Sequence, residues 1–146
     1  MLKGISPLLS PSLIKALAEM GHGDELVIAD GNFPAESVGK NAIVIRADGH
    51  GVEALLDAVL ALVPLDEYVE APISLMSVVA GDKCETPKIW KSYEQIIKKH
   101  EPKNNKIEYL ERFEFYERAK KAYLIIATGE SAIYANVLLK KGVVKI

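Results

Sequence analysis

The chain has 146 residues, of which 49% are apolar and 26% are charged, and its formal charge at pH 7 is −2. This composition is that of an ordinary globular domain and carries no signature of disorder. The small negative charge gives no electrostatic reason to expect nucleic acid or an anionic membrane as a partner. The length fits one domain over residues 1–146.

Cysteine content and apolar runs limit the class of protein further. Cys84 is the only cysteine, which excludes an intrachain disulfide and a thiolate zinc site. The start of the chain lacks the basic, apolar and small-residue pattern of a secretory signal. The longest apolar run, residues 58–65, is far shorter than the ~20 residues that a membrane-spanning helix needs. We therefore expect a reduced, soluble, cytoplasmic protein.

The first third of the chain predicts one helix and two strands. Ser10 is suited to cap a helix that begins at Pro11, and apolar residues at helical spacing continue to Met20, with Gly21 placed to end it. The segments after it are, in order, a strand at 25–29, a turn-rich loop at 30–39 and a buried strand at 42–46.

The rest of the chain continues to alternate between helices and strands. The strongest helix prediction is 51–63, because its apolar residues fall on one face. The other predicted elements are a strand at 73–80, a helix at 87–99, a loop at 101–106, a strand at 107–110, a helix at 113–120 and strands at 122–128 and 134–139. This alternation predicts a single compact α/β domain of two or three layers.

The first candidate for chemistry is a histidine and an aspartate at the two ends of the first strand. His22 lies between Gly21 and Gly23, and Asp30 follows the strand directly. Imidazole titrates near neutral pH, so a histidine and a carboxylate can act as an acid/base pair. Strand carboxyl ends are also common ligand sites in α/β proteins. The structural alternatives are a helix-capping histidine and a turn-forming aspartate before Gly31.

A second candidate group lies in the C-terminal third. Arg112 stands at a strand-to-helix junction, where its guanidinium can donate several hydrogen bonds into a cleft. The alternative, a surface ion pair, suits Arg118 better, because Glu114 lies four residues before it. Tyr134 and Asn136 have alternate spacing, so on a strand they would share a face and could bind a polyol together. The alternative is an ordinary strand start.

Two other motifs predict no site. Residues 49–51 read Gly-His-Gly between a strand and a helix, which is the layout of a dinucleotide-binding turn. The next strand ends near Asp82, about thirty residues on, whereas a ribose-binding acid is expected after ~20. A metal site is not expected either, because no two histidines have ligand spacing on one element; the three are His22, His50 and His100.

Several sequence blocks, spread over nearly the whole chain, form one recognisable set. They are residues 2–11 (LKGISPLLSP), 20–25 (MGHGDE), 33–35 (FPA), 45–49 (IRADG), 112–113 (RF) with 115–119 (FYERA), 128–130 (TGE), 134–136 (YAN) and 138–143 (LLKKGV). Together, and in this order, they closely resemble the L-fucose mutarotase family, which belongs with the D-ribose pyranases to a larger group. The least distinctive region is 81–106.

The resemblance implies a ribose pyranase-like fold, with helices packed on a mixed β-sheet. It implies exchange between the anomers of a free sugar in the cytoplasm, without a cofactor or a metal. It also implies a homo-oligomeric ring, commonly a decamer, with sites near subunit boundaries. Carried over by position, His22 is the proton donor, and the sugar-binding residues are Asp30, Arg112, Tyr134 and Asn136. We expect two aromatic residues, Phe33 and Tyr116, to line the apolar face of the sugar.

Two positions favour the fucose branch over the ribose branch of this group. Gly23 follows His22 where ribose pyranases typically have threonine, and Arg112 stands where they tend to have histidine. The loop after Asp30 departs from the family, because Gly31 and Asn32 replace an expected Ala-His pair. Two other functions stay open: a D-ribose pyranase that interconverts pyranose and furanose forms, and a sugar-binding module without catalysis.

Overall fold

The computed structural model describes all 146 residues and contains five helices and six strands. In chain order they are α1 (Pro11–Glu19), β1 (Glu25–Ala29), α2 (Ala35–Val38), β2 (Ile43–Ala47), α3 (Val52–Leu60), β3 (Ile73–Met76), α4 (Lys88–His100), β4 (Ile107–Leu110), α5 (Arg112–Lys120), β5 (Leu124–Thr128) and β6 (Val137–Lys140).

The six strands form one mixed sheet in the order β2-β5-β1-β6-β3-β4. β1 and β2 both pair in parallel with β5, and β3 pairs in parallel with β4. β6 is antiparallel to both of its neighbours, β1 and β3. The first residues of β6 therefore lie beside the last residues of β1 and β3. The predicted mixed sheet is confirmed.

Helices cover both faces of this sheet because its central strands are apolar on both sides. In β1, Leu26 and Ile28 pack with α1, α3 and α4, whereas Val27 and Ala29 pack with α2 and α5. All four side chains are fully buried. Such continuous apolar runs are typical of strands that are buried on both faces. The result is a three-layer α/β domain, as the alternation of elements predicts.

The predicted start of α1 is confirmed. Ser10 Oγ accepts a hydrogen bond from the backbone N–H of Leu13 at 3.2 Å, and Pro11 occupies the first helical position. The helix ends because Met20 turns to an extended conformation, and the left-handed residue of the following turn is Gly23, with φ of +84°. A side chain with a Cβ would strain this backbone, which explains a glycine directly after His22.

Several details of the structure differ from the sequence predictions. β2, predicted to be buried, is half-exposed, because it is an edge strand paired only with β5. β3 ends at Met76 rather than residue 80, and α2 lies within the predicted loop 30–39. β6 begins at Val137, after the predicted start at 134, because Tyr134 has a φ of +56°, which a strand does not accommodate.

None of the five helices has the length and apolar character needed to cross a membrane. The longest is α4, with 13 residues, and its last turn is basic.

Candidate functional site

A cleft of about 250 Å³ opens at the end of the sheet where the chain leaves β1, β3 and β4 and enters β6. Ligand pockets usually measure about 300–1,000 Å³, so this cleft suits a small ligand. One part of its wall is apolar and aromatic, and the rest is polar. The polar lining residues are Asp30, Asn32, Asp82, Arg112, Tyr134 and Asn136.

Asp30 lies at the base of the cleft and is 6% exposed. Its Oδ1 accepts a hydrogen bond from the backbone N–H of Asn32 at 3.0 Å, which closes a tight turn after β1. Burial raises the pKa of the Asp30 carboxyl, although backbone hydrogen bonds from Asn32, Ala135 and Phe33 oppose the rise. A carboxyl group that lines a cleft can both accept and return a proton.

Asn136 is fixed to Asp30 across two strands. Its Oδ1 accepts the backbone N–H of Asp30 at 2.8 Å, and Asn136 is 5% exposed. This contact exists because β6 runs antiparallel to β1, so residue 136 lies beside the carboxyl end of β1. With its oxygen engaged, Asn136 presents its amide N–H groups to the cleft, where they can donate to hydroxyl oxygens.

Arg112 is the first residue of α5 and confirms the predicted strand-to-helix junction. Its guanidinium carbon lies 5.5 Å from the centre of the Phe113 ring and 5.8 Å from that of Tyr116. These aromatic faces hold the cation without engaging its N–H groups. No carboxylate lies within ion-pair distance of Arg112, so its planar fork of donors stays available to a ligand in the cleft.

Tyr134 reaches the cleft from a strained backbone. A φ of +56° is unusual for a tyrosine and costs on the order of 1–3 kcal/mol. Two aromatic residues of α4 hold this conformation: the Trp90 indole N–H donates to the Tyr134 carbonyl at 2.8 Å, and the Tyr93 hydroxyl donates to the Ala135 carbonyl at 2.7 Å. Strain that is stabilised by buried hydrogen bonds is a common property of functional sites.

Aromatic side chains form another part of the cleft wall. The Phe33 and Tyr116 rings both line it, with centroids 5.6 Å apart. Phe33 also meets Phe115 edge to face at 6.3 Å, which fixes its ring against the core. The apolar face of a small polar ligand can pack on such a surface.

His22 lies at the opposite end of the strands, in the loop before β1. Its Nε2 and Asp66 Oδ1 are 3.0 Å apart, and its ring lies 5.4 Å from that of Tyr68. The five residues of β1 separate it from Asp30, which amounts to roughly 17 Å at strand geometry. One chain alone therefore does not bring His22 to the cleft, and the carboxylate that contacts its ring is Asp66 rather than Asp30.

Asp66 is a buried partner of His22 that the sequence interpretation missed. Its exposed fraction is 2%, and its Oδ1 also accepts the backbone N–H of Tyr68 at 3.0 Å. Burial acts to raise the pKa of Asp66, yet the hydrogen bonds from Tyr68 and His22 hold it below its usual value. A carboxylate in this position orients the imidazole ring. The local sequence gives no signal that singles it out, since Glu67, an exposed acid, follows it directly.

The structure thus brings together six of the seven predicted site residues: Asp30, Phe33, Arg112, Tyr116, Tyr134 and Asn136. The exception is His22. The predicted pairing of Arg118 with Glu114 is wrong, because Arg118 instead binds Glu25 at 2.6 Å and Glu108 at 3.0 Å. These two acids lie on β1 and β4, and sequence spacing along one helix cannot reveal such cross-strand partners.

Elsewhere in the molecule, no group of three or more histidine, cysteine, aspartate or glutamate side chains is arranged to hold a metal ion. Cys84 is half-buried and donates to the carbonyl of its neighbour Glu85.

Comparisons with known proteins agree with this architecture over nearly the whole chain. The fucose mutarotase of Mus musculus is 54% identical over 145 residues, which cover 97% of this chain and 94% of that protein. FucU from Bifidobacterium longum is 58% identical in sequence; its crystal structure superposes with a TM-score of 0.94 and covers 98% of this chain and 100% of its own.

A third comparison concerns a protein with a bound sugar. The fucose mutarotase of Streptococcus pneumoniae, crystallised with L-fucose, is 52% identical, with a TM-score of 0.92 and coverage of 99% of this chain and 100% of its own. Residues 3–144 of the present chain also match the sequence pattern of a described family over almost their full length. The chain therefore belongs to the RbsD / FucU transport protein family.

Proposed function

We propose that this protein is an isomerase that interconverts the α and β anomers of L-fucose by acid/base-assisted opening and closure of the sugar ring. The observation that carries the proposal is the cleft, where a buried carboxyl, Asp30, faces amide, guanidinium and phenol groups that recognise hydroxyls. Relatives 54% and 52% identical to this chain are named fucose mutarotases, and one was crystallised with L-fucose.

The proposed reaction moves protons and breaks and re-forms one carbon–oxygen bond. A proton is delivered to the ring oxygen while another leaves the anomeric hydroxyl, so the bond between the anomeric carbon and the ring oxygen breaks and an aldehyde forms. Rotation about the adjacent carbon–carbon bond turns the other face of the aldehyde to the hydroxyl. Closure reverses both proton transfers. Each positioned acid or base typically accelerates such a step by about 10²–10⁴-fold.

The residues of the chain can supply these groups. We assign His22 as the proton donor, because an imidazole ring can donate a proton from one nitrogen and accept one at the other. The remaining groups hold the sugar hydroxyls: Asp30 as an acceptor, Arg112 and Asn136 as donors, and Tyr134 through its phenol oxygen. Phe33 and Tyr116 pack on the apolar face of the sugar ring.

This assignment requires more than one copy of the chain. His22 and the cleft lie at opposite ends of the strands. A His22 that serves the cleft therefore has to come from a neighbouring subunit. The His22 side chain is 47% exposed and therefore accessible to such a neighbour. The mouth of the cleft also carries exposed apolar residues, Val79 and Ile133. We propose a cytoplasmic homo-oligomer, a ring-shaped decamer, with the site at its subunit boundaries.

The experiment that tests the function is NMR saturation transfer on L-fucose near neutral pH, with and without protein. We expect magnetisation to pass between the α and β anomeric protons faster when the protein is present. D-Ribose, measured in the same way, tests the pyranase alternative through exchange between pyranose and furanose signals. Binding of L-fucose without faster exchange on either sugar contradicts the proposal and identifies a sugar-binding module. Native mass spectrometry measures the number of subunits.

A further inference from the structure

The loop between β3 and α4 contributes a carboxylate, Asp82, to the cleft. The loop turns back on itself, because the backbone N–H of Asp82 donates to the Val79 carbonyl at 3.0 Å and Gly81 adopts a φ of +85°. This turn places the Asp82 side chain against Tyr134, which lies 52 residues further along the chain. None of the roles assigned above uses this carboxylate.

The phenol group of Tyr134 makes two hydrogen bonds, both with this loop. Its O–H donates to Asp82 Oδ2, and its oxygen accepts the backbone N–H of Val79 at 3.2 Å. The other oxygen of Asp82 accepts the backbone N–H of Cys84 at 3.1 Å. Asp82 is therefore held at both oxygens, one by the loop itself and one by the residue that it contacts across the cleft.

This arrangement fixes the hydrogen-bonding direction of Tyr134. A phenol has one proton to donate and two lone pairs that accept. Asp82 takes the proton and the Val79 N–H takes one lone pair, so a single lone pair remains for a ligand. Towards the cleft, Tyr134 is thus an acceptor, and a sugar hydroxyl has to donate to it.

We propose that Asp82 is a positioning residue that makes Tyr134 a hydrogen-bond acceptor for the sugar. The inference rests on the proposed function and deepens it. Arg112 and Asn136 present donors to the cleft, whereas Tyr134, Asp82 and Asp30 present acceptors, so the cleft offers a sugar partners of defined hydrogen-bonding direction. A sugar that is rotated in the cleft places donors against donors, which disfavours the wrong orientation.

The phenolic hydrogen bond also has a consequence that can be measured without any sugar. The hydrogen bond to Asp82 raises the pKa of the Tyr134 phenol, and the same bond lowers the pKa of the Asp82 carboxyl. Replacing Asp82 with a neutral residue therefore lowers the pKa at which Tyr134 ionises. The tyrosinate absorbance of Tyr134 is isolated as the difference between each protein and the same protein with Tyr134→Phe.

Asp82→Asn separates positioning of the phenol from simple closure of the loop. The asparagine oxygen can still accept the Cys84 N–H, but its amide N–H₂ then faces Tyr134 and donates to it, which reverses the direction of the contact. Asp82→Ala removes both contacts. If Asp82 acts through Tyr134, we expect both variants to slow anomer exchange on L-fucose by roughly tenfold. Lys83→Ala, a change at an exposed residue of the same loop, leaves exchange unchanged.

The double variant with Tyr134→Phe completes the test. If Asp82 acts through the phenol, Asp82→Asn has less than about a twofold effect once the phenol is absent. Full loss in the Tyr134→Phe background, or wild-type exchange in Asp82→Asn, overturns the inference. An unchanged tyrosinate titration in Asp82→Asn also overturns it, since the contact is then not formed. Absence of exchange by the wild-type protein contradicts the proposed function instead, and the same cycle is then measured on the dissociation constant for L-fucose.

Discussion

His22 and Asp30 flank the same strand, β1, from its two ends. Asp30 follows the last residue of the strand and lines the cleft, whereas His22 precedes the strand and contacts Asp66 at 3.0 Å. A five-residue strand that spans roughly 17 Å is rigid, so no local movement of the chain brings the two side chains together. Their separation determines how the proposed acid/base chemistry has to be tested.

A mixture of two inactive variants should regain activity. We expect His22→Ala and Asp30→Asn to be nearly inactive when each is expressed alone. Because the histidine and the cleft of one site would come from different subunits, random co-assembly of the two variants leaves about a quarter of the sites intact. Co-expression followed by saturation transfer on L-fucose measures this. If mixed oligomers form but stay inactive, the site is not shared between subunits.

Loss of His22 should remove most of the catalysis and leave the fold intact. His22 lies in a loop and its ring is half-exposed, so truncation opens no core cavity. We expect His22→Ala to lower the exchange rate on L-fucose by about 10²–10⁴-fold, the typical contribution of a general acid or base. The circular dichroism spectrum and the number of subunits found by native mass spectrometry should not change. The control is His50→Ala, at an exposed histidine outside the cleft. A folded His22→Ala protein with wild-type exchange would remove His22 from the mechanism.

Asp66 should act through His22. Its carboxylate is 2% exposed and fixes the imidazole ring, so Asp66→Asn weakens this orientation while keeping the side-chain shape. We expect exchange to fall by about tenfold, with no further loss in the His22→Ala background. Glu67→Gln is the matched control, because Glu67 is the adjacent acid and pairs with Lys145 at the surface. Equal losses in both backgrounds would mean that Asp66 acts independently of His22.

Asp30 should lower the stability of the protein at neutral pH. Burial raises the pKa of this carboxyl in the folded state, so ionisation there carries a free-energy cost that the unfolded chain does not have. Below the ordinary pKa of an aspartate, both states hold the proton and the cost is absent. As the pH rises through the raised pKa, the wild-type protein loses stability that Asp30→Asn keeps.

Thermal unfolding at two pH values measures this effect. At pH 7.5 we expect Asp30→Asn to melt at a higher temperature than the wild type, because the asparagine carries no ionisation cost in the folded state. The difference should shrink as the pH falls towards 4. Asp48→Asn is the control, since a hydrogen bond from Arg46 lowers the pKa of this exposed carboxyl, and its replacement brings no gain. A lower melting temperature for Asp30→Asn at pH 7.5 would show that the charge is stabilised in the folded state.

Much of the fold follows from local sequence. The Ser10–Pro11 cap, the apolar faces of the helices and the apolar runs of β1 and β5 each determine one element through interactions among near neighbours. The exposure of β2 and the start of β6 differ from the sequence predictions, because both depend on distant residues. β2 is exposed because it lies at the edge of the sheet, and β6 starts late because α4 holds the strained backbone at Tyr134.

The residue types available for chemistry can be read from the local sequence: a glycine-flanked histidine, an aspartate after a strand, an arginine before a helix, and the Tyr-Ala-Asn segment at 134–136. Which of these residues contact each other depends on the tertiary fold. The antiparallel course of β6 brings Asn136 to Asp30, and the β3–α4 loop brings Asp82 to Tyr134. The length of β1 places His22 at the end of the strands opposite the cleft, beside Asp66. Local spacing cannot encode these contacts, because strand order and direction are fixed by packing of the whole sheet.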